Sequence, residues 1–154
     1  TITGKNASND AWVNSNTFTH SNGKVDFTGT GTPYHIHGNN TWYTLEISVA
    51  TASTYLFENG VTQTIANSST LTGTSTAELT VNSVSGAADW LYTIQAGKTQ
   101  VHQYLTVGHS DASGGDEADG TDECTDDLNN TNWNFGGSGT GGTENLISSM
   151  MLMG

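Results

Sequence analysis

From Ala11 to Gly108 the chain is a succession of short runs in which apolar and polar residues alternate, each closed by a turn signal. A period of two places successive side chains on opposite faces of an extended backbone and does not fit a helix. "TWYTLEISV" is the longest example, with Tyr43, Leu45, Ile47 and Val49 in phase. "GKVDFTGTG", "PYHIHG", "TYLFENG", "AELTVNSV", "DWLYTIQAG" and "TQVHQYLTVG" repeat the pattern, and Asn59-Gly60 supplies a turn that tolerates positive φ. The count is roughly ten strands of about four to eight residues, with no segment of 3.6 periodicity.

The polar residues are mostly Thr, Ser and Asn with 19 glycines, a mixture that favours strands and turns. The fold expected is therefore all-β, a β-sandwich or a short β-solenoid. A faint echo between "ENGVTQTI" (58–65) and "QAGKTQVH" (95–102) favours a repeating architecture, although two matches do not establish a repeat. The 154 residues divide into a β-rich domain over 1–135, a glycine-rich linker over 136–142 and an apolar segment over 143–154. Within the first, eight of the fifteen acids crowd into 111–127, read as an acidic loop. The chain opens on Thr1 and not on methionine, so a leader, an initiator Met or a longer protein is expected to have preceded it.

Charge narrows the partners. Net charge is −12, with three Lys+Arg in all, so no basic patch for phosphates can be assembled and nucleic acid is excluded as a partner. Anionic membrane surfaces are disfavoured for the same reason, and no apolar run is long enough to insert in a bilayer. Cys124 is the single cysteine; no intrachain disulfide can form, and its acidic neighbours should raise the thiol pKa and keep it unreactive.

Three groups of residues invite a chemical reading. In "YHIHG", His35 and His37 fall on the same face of a strand, where they either bond to polar neighbours or share a metal ion. A third ligand would have to come from His20, His102, His109 or an acid elsewhere. Asp111, Asp116, Asp119 and Asp122 could supply oxygen ligands to Ca2+, although 116, 118 and 120 read Asp-Ala-Gly and break EF-hand spacing. No other cofactor is expected. His109-Ser110-Asp111 holds the residue types of a hydrolase triad, but sequence neighbours do not converge in triad geometry and no nucleophile elbow is present. The acids of 111–127 sit in one loop and not on strands that would fix a carboxylate pair. No enzyme is expected.

The order of "HIHGNNTWYTLEI", "YLFENGVTQTI", "LTGTSTAELTV", "YTI" after Trp90, "HSDASGG" and "NNTNWNF" resembles a repeated β-module of large secreted bacterial surface proteins and phage structural proteins. The resemblance spans about two thirds of the chain. It implies a non-enzymatic building block of an extracellular or virion surface and carries no catalytic residues. The acidic insertion at 116–127 departs from the pattern.

Leu146, Ile147, Met150, Met151, Leu152 and Met153 make an apolar segment too short to span a bilayer. Tethered by glycines, it has the reach to join copies by strand addition, and its methionines suit an adaptable contact. The function expected is a virion decoration or fibre module, or a filament subunit. It would self-associate and contact other virion or surface proteins. The alternative is an adhesin or carbohydrate-binding module, with glycans stacked on exposed aromatics. The even spacing of Trp12, Trp42, Trp90 and Trp133 looks more like core anchors than such a platform.

Overall fold

The computed structural model describes residues 1–31 and 33–136. The chain winds in successive turns, each resting on the one before. The first holds β1 (Asp10–Val13) and β2 (Lys24–Phe27), and the second β3 (Tyr34–His37) and β4 (Asn40–Ser48). The third holds β5 (Ser53–Phe57) and β6 (Thr62–Thr72), and the fourth β7 (Leu79–Ser83), β8 (Trp90–Ile94) and β9 (Thr99–Gln103). Then come β10 (Leu105–Val107), β11 (Ser110–Asp111) and β12 (Ala118–Asp119), and finally β13 (Thr125–Asp126) and β14 (Trp133–Asn134).

Among the described residues every pair of these strands is parallel. One sheet runs β1-β3-β5-β7-β10-β13 and a second β11-β8-β6-β4-β2, with β9 on the distal half of β6 and a small β12-β14 pair beyond it. Strands β4 and β6 are long because each bends around a corner. Thr62 to Ile65 of β6 pair with β8, whereas Ser68 to Thr72 pair with β9. The registers thus define an all-β, solenoid-like coil of three faces, with about 20 to 30 residues per turn.

Side chains stack in columns along this axis. Phe27, Ile47, Leu71 and His102 form one buried column, and Tyr34, Tyr55, Val81 and Val107 another. Alternation is what builds them: β5, β7 and β8 each read buried, intermediate, buried, intermediate, buried. The interior also carries a polar chain between β4 and β6. Gln63 Oε1 accepts hydrogen bonds from Asn40 Nδ2 and Trp42 Nε1, each at 3.0 Å, and Trp12 Nε1 donates to Asn40 Oδ1 at 2.8 Å. Among the described residues no buried side-chain nitrogen or oxygen lacks a partner, as the cost of an unmade interior bond requires.

Several expectations change. Fourteen strands appear among the described residues, because 110–134 contributes two-residue strands too short to show alternation. A period of two cannot separate antiparallel from parallel pairing; among the described residues every named strand pair is parallel and only the isolated Thr74–Ala77 bridge is antiparallel. Asn59-Gly60 does make its turn, with Gly60 at φ 70°, but it links two sheets instead of closing a hairpin. Tyr43 leaves the phase of Leu45 because a bulge between Trp42 and Thr44 turns Trp42 inward. The echo at 58–65 and 95–102 is not the repeat of the coil: Thr62 pairs with Leu91 and Thr99 with Ser68.

Corners between the first and second faces differ in length, from 38–39 and 108–109 to the exposed 84–88 and Asp89 before β8. Linker residues 137–142 and the segment 143–154, with Leu146, Ile147, Met150, Met151, Leu152 and Met153, lie outside the described residues.

Candidate functional site

At the first turn of the coil, β1 is the edge strand and lies beside β3. Tyr34 and Ile36 enter the core, which leaves His35 and His37 facing outward. Their rings meet edge to face, 5.8 Å between centroids. Strict alternation would set Asp10 on the same side as the half-buried Trp12. A bulge between them intervenes, so that Asp10 opposes the outward His35 while Trp12 opposes the inward Ile36. Bulges at sheet edges commonly re-aim a side chain in this way.

The result is a compact group. Asp10 Oδ1 lies 2.9 Å from His37 Nε2 and 3.8 Å from His35 Nδ1. The other carboxylate oxygen, Oδ2, accepts from Asn6 Nδ2 at 2.9 Å, which fixes the rotamer and leaves Oδ1 to the histidines. That hydrogen bond is the main reason the Asp10 carboxyl sits below its ordinary pKa, with the nearby imidazoles adding to it. Burial, and then the neighbouring His37, push His35 below the ordinary imidazole value, so it is a neutral base at neutral pH.

From the next turn, Glu58 Oε2 comes within 3.5 Å of His37 Nδ1 and is itself held by the Gly38 amide at 2.8 Å. Gly38 has φ 81°, and a side chain there would collide with the Asn14 carbonyl. Asp10, His37, Glu58 and residues 13–16 line an open groove of about 590 Å³. Among the described residues, Asp10, His35 and His37 are the one group of three or more metal-capable side chains whose donor atoms gather, all within 4.8 Å.

The third partner of the histidine pair is therefore Asp10. His20 lies against Tyr43, and His102 is in the core. His109 Nδ1 stands 3.4 Å from Asp89 Oδ1 at a corner further along the coil. Neither Asp10 nor Glu58 was readable from local spacing, because each lies one turn from the histidines. The available signal was an acid beside an alternating run, DAWV, about one coil period before YHIH.

The four aspartates proposed for calcium do not converge. Asp111 Oδ1 accepts from the Ser113 amide, Asp116 Oδ2 from the Gly97 amide, and Asp119 Oδ1 from Thr121 N and Oγ1. The Asp122 backbone forms a parallel β-bridge with Gln103. The carboxylates of Asp111, Asp116 and Asp119 each close a turn or tie one turn of the coil to another.

Ser110 is buried and its Oγ accepts from Trp133 Nε1 at 3.0 Å, so His109-Ser110-Asp111 forms no triad. Cys124 is buried, and burial first, with Asp122, Asp119 and Glu123 adding, raises its thiol to about 11. Trp42 and Trp90 are fully buried, and Trp12 and Trp133 pack half-buried against the core. No helix among the described residues is long and apolar enough to cross a membrane. Comparison with protein-family models, curated proteins and solved structures finds no match for this chain.

Proposed function

We propose that the protein is a non-enzymatic structural module of an extracellular or virion surface, a decoration, fibre or filament unit whose copies are joined through residues 143–154. The observation that carries this reading is the last turn of the coil. Trp133 stacks on Tyr92 at 5.7 Å and Phe135 on Trp133 at the same distance, and both outer rings are only half-buried. In a parallel coil each turn is covered by the next, and an end strand offers backbone groups and apolar rings to any strand added to it. Leu146, Ile147, Met150, Met151, Leu152 and Met153 provide an apolar segment of that kind close in sequence. The net charge of −12 keeps such surfaces soluble and apart until the apolar ends meet. The glycan-binding alternative has less support, since Trp42 and Trp90 are fully buried and Trp12 and Trp133 pack partly buried against the core.

The test is removal of 143–154, with mass measured by light scattering. The full chain is expected as an oligomer and the shortened one as a monomer. An oligomer that survives the deletion, or a full chain that is monomeric throughout, overturns the reading.

A further inference from the structure

We infer that Asp10, His35 and His37 form a binding site for a divalent transition metal of the zinc type, with Glu58 as the group that orients His37. The inference is independent of how copies assemble. Two imidazoles and one carboxylate are the donor set that such ions prefer, whereas Ca2+ and Mg2+ take oxygen ligands almost throughout.

The spacing is close to what the ion needs. Ligand bonds of about 2.0–2.1 Å in a tetrahedron set donor atoms roughly 3.3 Å apart. The three donors here already lie within 4.8 Å of one another, with Asp10 Oδ1 at 2.9 Å and 3.8 Å from the two ring nitrogens. Small side-chain rotations close the rest.

The surroundings are those of a prepared site. Metal-ligating histidines generally give their second ring N–H to a carboxylate, which selects the tautomer. Glu58, pinned by the Gly38 amide, stands at His37 Nδ1, so a proton on Nδ1 frees the Nε2 lone pair to face Asp10 and His35. Asn6 performs the corresponding task for Asp10 by occupying Oδ2 and leaving Oδ1 to bind. Asp10 and Glu58 carry two negative charges beside imidazoles that are neutral when they ligate, and a dication balances them. His37 and Asp10 also line the groove, so a fourth coordination position opens to water. The ion would clamp the edge strand β1 to its neighbour β3.

The 154-residue chain, stripped with EDTA and dialysed, is titrated with ZnCl2 by calorimetry and melted with and without the ion. Expected are one site per chain and a rise in Tm of about 4 °C or more at saturating Zn2+. H35Q, H37Q and D10N should each lose at least about tenfold in affinity, and E58Q about tenfold through the lost orientation. H20Q and H109Q should bind as the parent does. Because the altered side chains face outward, the variants should melt near the unliganded parent. As a readout independent of stability, Co2+ should give visible absorption bands that H37Q abolishes. Absence of a 1:1 binding heat overturns the inference, and so does binding that survives H35Q, H37Q and D10N or disappears in H20Q or H109Q.

Discussion

His102 is an imidazole in a place that cannot hold a charge. Its Nδ1–H donates to the Asp119 carbonyl at 2.8 Å, so Nε2 is the acceptor and faces Ser69 Oγ at 3.1 Å and the Tyr92 hydroxyl at 3.3 Å. Burial lowers its pKa to about 4 from an ordinary 6.5. Between those two values the unfolded chain binds a proton that the folded chain refuses. Stability is therefore complete above pH 6.5 and is lost as pH falls toward 4, by about 3 kcal/mol in all. Urea midpoints at pH 7.5, 5.5 and 4.5 check this, and His102→Leu should remove most of the slope across that window. At the same scale, what could be read from the sequence was direction and not neighbourhood. Alternation in YHIH correctly turns His35 and His37 to one face, because strand geometry is local. Their partner Asp10 is fixed by parallel register and by a bulge, and nothing within a few residues of either histidine encodes those.

Strands β4 and β6 show what one element contributes to the next. Gln63 Oε1 takes two donors inside the core, Asn40 Nδ2 and Trp42 Nε1. Replacing it with leucine keeps the bulk but leaves the indole N–H of a fully buried tryptophan without an acceptor. Asn40 keeps a second acceptor, the Gly38 carbonyl at 2.8 Å. Gln63→Leu should therefore cost about 2 kcal/mol, most of it the penalty of one orphaned donor. Chemical denaturation reads that loss directly, and Trp42→Phe in the same background should recover part of it by deleting the orphan. Legibility at this level followed length. Runs of five residues or more, such as β5, β7 and β8, were visible from their alternation. The two-residue strands β11 to β14 were not, because their pairing is imposed by the turn beneath them and they carry no pattern of their own.

The described residues form a quasi-one-dimensional stack: each turn of the coil touches the turn before and the turn after, and among these residues the outer strands β1 and β13 have one strand neighbour each. Local stability should grade accordingly. Amide exchange followed residue by residue should be slowest in β5 to β8 and at least about tenfold faster in β1, β13 and β14. Uniform protection from end to end would show a single cooperative block instead. Parallel stacking itself was beyond the sequence, since alternating runs and turn dipeptides serve a sandwich as readily as a coil; only the register between distant strands separates the two. The unequal corners have a practical corollary. The excursion at 84–88 hangs outside the stack, anchored by Asn59 to Ser85, while β7 and β8 on either side keep their partners. A foreign peptide spliced in at Gly86 would ride on the scaffold without disturbing its winding, which makes this corner a natural port for displaying an epitope.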